Sequence, residues 1–524
     1  VTGFGRREFL VMAAALTASG PAGAQAAAPA RSRVVRVREG VLAGSEAGGI
    51  VSFRGVPYAA PPVGPLRFKP PAPAIPWQGI RAATRFGPAP IQINQSGVPA
   101  LDYLGAPRAE DCLQLNIWAP ARAGPHPVLV WIHGGANEAG AASQPLYNGA
   151  NFARAGLVCV TVGFRLGMFG FLELGELLGP SYRGSANNGL RDIVAALRWV
   201  RDNIRAFGGD PRRVTLAGES AGAKNVCSLM ASPWARGLFQ TAIVQSGGET
   251  VHRPEAALAA ARIVAESIVA QGGQPSQIHA MPGQQLMRLQ AELRRRFDRP
   301  FPFRAVVDGE FLPEPPVAAI TAGAARGLRL LIGTNRDESI LFTNPAAAER
   351  PLAQSELANL DLAAALPVQR RYEAAFADLL PLERRVRFLT AEEYWHASMR
   401  IAIAHQASGA AETYVYRFDM PSTMGPVAGW AAHGAELPYM WNMPDDRMMT
   451  RIYGPMDAPR RALAADMNLR WARFARGEAP NLPGAVPWPR FTQERELLRF
   501  GERVEAVPLD AAELALWDEA ATVK

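Results

Sequence analysis

Apolar positions along the chain gather into short continuous runs separated by stretches of helical spacing. Val128-Leu129-Val130-Trp131-Ile132, Leu157–Val162 and Val214-Thr215-Leu216-Ala217 are such runs. A strand covered on both faces has this pattern, because neither face is left to water. Leu113–Trp118 alternates Leu113, Leu115 and Ile117 instead, which predicts a half-buried strand. Ala242–Gln245, Leu328–Gly333 and Tyr414–Phe418 add three more strands, and Val34–Val37 with Gly40–Gly44 predicts a short hairpin. Between the runs at 157–162 and 214–217, Leu190, Ile193, Val194, Leu197, Val200 and Ile204 recur on one helical face, and Gly208-Gly209-Asp210-Pro211 stops that helix. Phe53–Pro62 is proline-rich without a helical period, which predicts an ordered loop. Strands alternating with helices make an α/β protein with a mostly parallel, doubly wound sheet. The Arg/Ala/Glu-rich helical material at about 255–300 and 350–410 predicts helical cap insertions on that sheet. No fixed repeat or long linker divides the chain, so residues 34–515 are expected to form one domain.

Composition narrows the class without naming a function. The 524 residues are 48% hydrophobic and 19% charged, enough for a large core and too apolar for a disordered chain. The formal net charge of +8 invites a nucleic-acid reading. All but three of the basic residues (Lys69, Lys224 and Lys524) are arginines, however, scattered among Ala, Pro and Gly rather than clustered. No nucleic-acid partner is expected. At the start, Arg6-Arg7 precede the apolar run from Phe9 to about Ala18, followed by small residues around Ala22-Gly23-Ala24. This order predicts an export signal over residues 1–26, and Arg-Arg-Glu-Phe-Leu resembles a twin-arginine signal for periplasmic delivery, although Gly5 replaces the usual Ser or Thr. The alternative is an ordinary secretory signal with a chance arginine pair. No other segment has the apolar length of a membrane span, and a monomer is the default. Cys112, Cys159 and Cys227 sit in apolar contexts and are expected to be free and buried.

Three segments carry chemistry. Gly218-Glu219-Ser220-Ala221-Gly222 follows the strand at 214–217 and precedes helix-forming Ala223–Met230. A Gly-x-Ser-x-Gly in that setting is a nucleophile elbow, which lifts the serine hydroxyl above the sheet edge. Serine needs a base, and in this arrangement the chain order is Ser, acid, His. Of seven histidines, His126 and His133 precede Ser220, while His396 and His405 lie in a helical period. His433 lies in a Gly/Pro loop after strand 414–418 and is the best-placed base. Asp337 and Glu338 both follow the strand at 328–332, and spacing does not choose between them. Ile132-His133-Gly134-Gly135-Ala136 after strand 128–132 supplies small residues whose N–H groups can approach a substrate oxygen closely.

With these segments the chain resembles the type-B carboxylesterase (cholinesterase-like) family of α/β-hydrolases, in the style of bacterial para-nitrobenzyl esterases. Phe53-Arg54-Gly55-Val56-Pro57-Tyr58-Ala59, Glu110-Asp111-Cys112-Leu113, Trp131-Ile132-His133-Gly134-Gly135-Ala136, Phe207-Gly208-Gly209-Asp210-Pro211 and Gly218-Glu219-Ser220-Ala221-Gly222-Ala223 carry the resemblance, which runs from about Val34 to Leu509. It implies an α/β-hydrolase fold and hydrolysis of small-molecule esters without metal or cofactor. It also implies Ser220 as nucleophile, Glu338 as acid, His433 as base, and Gly135, Ala136 and Ala221 as oxyanion donors. The family commonly pairs the cysteine of its Glu-Asp-Cys-Leu motif with one near Phe86–Pro90, and this chain has none there. Asn137-Glu138 replaces an aromatic pair, and Lys224-Asn225 replaces a small residue and serine. These four positions suggest a polar substrate, with Trp441 as part of an apolar wall. Two alternatives stay open: a carbamate or amide hydrolase on the same triad, and a non-catalytic binding module of the same fold.

Overall fold

Thirteen strands form one mixed sheet in the computed structural model, whose described residues are 31–93 and 106–517. The export-signal reading of residues 1–26 lies outside them. The strands are β1 Arg31–Val37, β2 Gly40–Ala47, β3 Ile50–Pro57, β4 Ile80–Ala82, β5 Gln114–Pro120, β6 His126–Ile132, β7 Val158–Val162, β8 Gly209–Glu219, β9 Thr241–Gln245, β10 Arg329–Asn335, β11 Glu412–Phe418, β12 Glu496–Phe500 and β13 Val504–Pro508. They lie in the order β1-β2-β3-β5-β7-β6-β8-β9-β10-β11-β12-β13, with β4 beside β2. From β7 to β12 every pairing is parallel. The run β1-β2-β3-β5-β7 and the last pair are antiparallel, whereas β4 lies parallel to β2. Parallel neighbours end at one edge, so the loops after β6, β8, β9, β10 and β11 all open on the same rim.

Successive side chains of a strand point to opposite faces, and the core divides accordingly. Val128, Val130 and Ile132 of β6 join one apolar cluster, whereas Leu129 and Trp131 join the other. In β11, Val415 joins the first cluster and Tyr414, Tyr416 and Phe418 the second. The helix Asn188–Asn203 covers the first face through Leu190, Ile193, Val194, Leu197 and Val200. The helix Ala458–Ala475 covers the second through Ala464, Met467 and Trp471. Removing one such contact, as in Leu197→Ala, costs about 2–5 kcal/mol.

Three local expectations are corrected. The predicted loop at 53–62 begins as strand: β3 pairs with β5 through Pro57, and a register shift between Phe53 and Val56 breaks its alternation. Gly55 sits in that shift at φ 68°, and its N–H donates to Asn116 Oδ1. Strand β5 is buried on both faces rather than one. Its polar Asn116 is tolerated because it also donates to Thr161 Oγ1. Of the helical material at 350–410, His396–Ala407 packs on β10 and β11 and is part of the sheet's cover, not a cap. Cys112, Cys159 and Cys227 are all buried and unpaired. No helix among the described residues is long and apolar enough to cross a membrane.

Candidate active site

Strand β8 ends at Glu219, and Ser220 follows at φ 55°, ψ −127°, directly before the helix Ala221–Ala231. A non-glycine residue held in that region stores backbone strain, which the surrounding packing must enforce. The flanking glycines allow the turn. A Cβ on Gly222 would stand 2.1 Å from the Ile132 carbonyl oxygen, and one on Gly218 would stand 2.6 Å from Gly222. The helix start turns its free N–H groups toward the serine.

His433 comes from the loop after β11. Its Nε2 lies 2.9 Å from Ser220 Oγ, and its Nδ1 lies 2.5 Å from Glu338 Oε2. A carboxylate only accepts, so Nδ1 donates and Nε2 of the neutral ring is left to accept from the serine hydroxyl. Glu338 is fully buried, and its other oxygen accepts from Ser246 Oγ (2.5 Å) and the Asn335 N–H (2.7 Å). Asp337 is turned elsewhere: it accepts from the Ala431 N–H and pairs with Arg336. Of the two carboxylates left open by spacing, Glu338 reaches the imidazole. His396 and His405 are packed in their helix, His396 against Trp517 and His405 on Thr413 Oγ1.

Two further carboxylates face this cluster. Glu219 Oε1 stands 3.2 Å from His433 Nε2. Glu436, three residues beyond the histidine, accepts from Asn335 Nδ2 (2.6 Å) and Gln245 Nε2 (3.1 Å). Burial pushes the His433 pKa down, but Glu219, Glu338 and Glu436 together outweigh it and raise the value to about 9. Glu219 is raised to about 8, chiefly by burial, with His433 opposing. Glu436 is raised to about 7 by burial and by Glu338. These groups titrate as a unit. His133, fully buried and without a carboxylate, is pushed by burial down to about 4. Charged partners, not burial alone, separate the two imidazoles.

The loop after β6 has positive φ over three residues, Gly135 at 108° and Ala136 and Asn137 both at 56°, and the two non-glycines carry backbone strain there. The Glu138 and Ala139 N–H groups close it onto the Gly135 carbonyl, and the Gly167 N–H holds the Asn137 carbonyl. The N–H groups of Gly135, Ala136 and Ala221 donate to no acceptor among the described residues, and all three residues line one cavity with Ser220 and His433. That set can receive an oxyanion.

The cavity measures about 410 Å³, with more apolar than polar lining. Asn137, Lys224 and Asn225 line it, and Asn225 Nδ2 donates to Asn137 Oδ1. Two expectations fail. Glu138 does not reach the cavity; its buried carboxylate pairs with Arg294 at 2.9 Å. Trp441 is fully buried behind the site, packed on Trp131, Tyr147 and Phe152, because its large ring completes the second core cluster. Lys224 is ion-paired with Glu393, which sits in a π-helical turn at Ala391–Trp395. Glu393, Tyr394, Arg304, Thr250 and Glu436 were missed from sequence. Glu436 had a signal, its spacing from His433; the others come from segments whose helical or loop pattern gives no hint of the cavity. No group of three or more His, Cys, Asp or Glu side chains placed to hold a metal occurs among the described residues.

The doubly wound sheet with an elbow serine, a histidine and a carboxylate on its C-terminal rim defines an α/β-hydrolase. The chain belongs to the carboxylesterase family, whose model matches residues 31–517, and it is a carboxylic ester hydrolase. It is 37% identical over 478 residues to the para-nitrobenzyl esterase of Bacillus subtilis (strain 168), covering 89% of this chain and 94% of that one. It is 34% identical over 481 residues to the fumonisin B1 esterase of Sphingopyxis macrogoltabida, covering 90% and 87%. The carboxylesterase structure of Geobacillus stearothermophilus at pH 6.2 superposes with a TM-score of 0.80 at 35% identity, over 93% of this chain and 100% of that one.

Proposed function

We propose that the chain hydrolyses esters through an acyl-enzyme on Ser220, with His433 as general base and acid and Glu338 as its orienting carboxylate. The observation that carries this reading is the unbroken series of contacts from Ser220 Oγ to His433 Nε2 and from His433 Nδ1 to Glu338. His433 takes the serine proton as Oγ attacks the ester carbonyl, and the oxyanion accepts from the Gly135, Ala136 and Ala221 N–H groups. The C–O bond to the leaving alcohol breaks as His433 returns the proton to that oxygen. Water then attacks the acyl carbon by the same route, giving the acid and free Ser220. Each oxyanion donor of this kind contributes about 2.7–4 kcal/mol. Asn137, Lys224 and Asn225 in the lining support a polar substrate.

The test is a stopped-flow assay with a short-chain 4-nitrophenyl ester. A burst of 4-nitrophenol stoichiometric with enzyme supports the acyl-enzyme; a burst retained in Ser220→Ala contradicts it. We read Arg6-Arg7 and the apolar run after them as a twin-arginine export signal that delivers a monomer to the periplasm. Unpaired cysteines agree with folding in a reducing compartment before export. A reporter fused to residues 1–26 should be exported, and Arg6→Lys/Arg7→Lys should retain it in the cytoplasm.

A further inference from the structure

One part of the cavity lining carries polar atoms that the triad does not use. Arg304 is 4% exposed and lines the cavity. Its Nε donates to the Phe301 carbonyl (3.3 Å) and its Nη1 to Asn359 Oδ1 (3.0 Å). Its Nη2 is buried with no partner, and no ion pair of this guanidinium occurs among the described residues. Thr250, 3% exposed, lines the same cavity with its Oγ1 also unpartnered.

A backbone bridge joins the two segments that carry these side chains. Segments 250–252 and 304–307 run parallel, bridged at His252 and Val306, with the His252 N–H on the Ala305 carbonyl and the Val307 N–H on the His252 carbonyl. Two residues before that bridge in each segment, Thr250 and Arg304 both line the cavity. The segment is also tied to the oxyanion loop, because Asn137 Nδ2 donates to the Phe303 carbonyl at 3.1 Å. Arg304 is therefore one residue from a direct tether to the residue after Ala136.

Nearby carboxylates are already committed. Glu393 is ion-paired with Lys224, whose ammonium also lies over the Tyr394 ring at 4.7 Å. Glu392 accepts from the N–H groups of Ala358, Asn359 and Leu360. Buried polar atoms are nearly always satisfied, and buried cations are paired. A guanidinium N–H and a hydroxyl that are both buried without a partner, on two residues lining one substrate cavity, can supply one donor to each oxygen of a carboxylate.

We propose that Arg304 and Thr250 form a carboxylate-recognition subsite, so that the substrates are esters bearing a free carboxylate in addition to the scissile bond. This rests on the triad reading of the same cavity.

Two matched pairs of esters test it at pH 8 and low salt, where the free carboxylate is ionised. One pair is 4-nitrophenyl hydrogen glutarate against 4-nitrophenyl valerate, with the charge on the acyl side. The other is 4-acetoxybenzoate against 4-methylphenyl acetate, with the charge on the alcohol side. The readout is the kcat/KM ratio of charged to neutral ester, compared between the wild-type protein and variants. In one of the two pairs Arg304→Gln should lower that ratio by about 10- to 100-fold, as for a lost charge-assisted hydrogen bond, and the pair affected identifies the side recognised. Arg304→Lys should lower it less, since it keeps charge without the planar fork. Ratios within twofold of wild type for both pairs in Arg304→Gln overturn the subsite. Should that variant not fold, Thr250→Val decides: a several-fold fall in one ratio supports the subsite, and two unchanged ratios overturn it. Wild-type protein that hydrolyses none of the four esters and takes no fluorophosphonate overturns the triad reading, and this proposal with it.

Discussion

The cavity buries charge in two ways. Around His433 each polar atom of the triad has a partner: Ser220 meets Nε2, Glu338 meets Nδ1, and the other Glu338 oxygen is held by Ser246 and Asn335. At Arg304 the guanidinium is fixed by Phe301 and Asn359 yet keeps one donor open, as does Thr250. The first arrangement is complete in the protein alone, which suits groups that must pass a proton without rearranging. The second is completed by something that enters, which suits recognition. Lys224 lines the same cavity as a half-buried cation paired with Glu393.

Substitutions should separate these regions by the kind of loss they produce. Ser220→Ala removes the nucleophile, and kcat should fall about 10⁵- to 10⁶-fold with the circular dichroism spectrum and Tm unchanged. Glu338→Gln keeps its carbonyl oxygen on the Ser246 and Asn335 donors and turns an amide N–H toward Nδ1, which holds His433 in the wrong tautomer, and kcat should fall about 10⁴-fold. Asp337→Asn should change kcat by less than about tenfold, because Asp337 holds Arg336 and the Ala431 N–H instead. Equal losses in the two would contradict the assignment of the acid. Lys224→Met leaves the Glu393 carboxylate buried without its cation, so urea unfolding should show a loss of about 3–5 kcal/mol. Lys224→Met combined with Glu393→Leu should recover most of it; no recovery would mean that the ion pair is not the source.

The smallest effect is a shift on the pH axis. Catalysis needs neutral His433, so kcat/KM rises as pH passes the ionisation of the cluster. Its carboxylates set that ionisation above the ordinary imidazole value. Glu219→Gln removes one charge that favours the imidazolium, and the rising limb should move to lower pH. A limb that stays in place would show that Glu219 carries its own proton throughout.

The sequence made the reactive region legible because its residues sit on strand ends with strong local signatures. Ser220 lies between glycines that packing requires, and His433 and Glu338 follow recognisable strands in the expected chain order. Asp337 against Glu338 was not decided by spacing, since adjacent residues differ only in where the 3₁₀ turn after β10 points them. The Arg304 region was illegible. It depends on a parallel bridge between two loops and on a π-helical turn that inserts Glu393 and Tyr394, neither of which leaves a periodic trace. Trp441 was misplaced for a related reason: proximity to His433 in sequence says nothing about which side of the sheet a ring packs on. The strand β3 was hidden by the register shift at Gly55, which breaks the alternation that marks a strand.

The most direct measurement is the location of a covalent adduct. Folded protein is treated with a fluorophosphonate, digested, and mapped by mass spectrometry, alongside His433→Ala. A single phosphonyl group on Ser220, lost in His433→Ala, is the expected result. An adduct on another serine, or none on folded wild-type protein, contradicts the account.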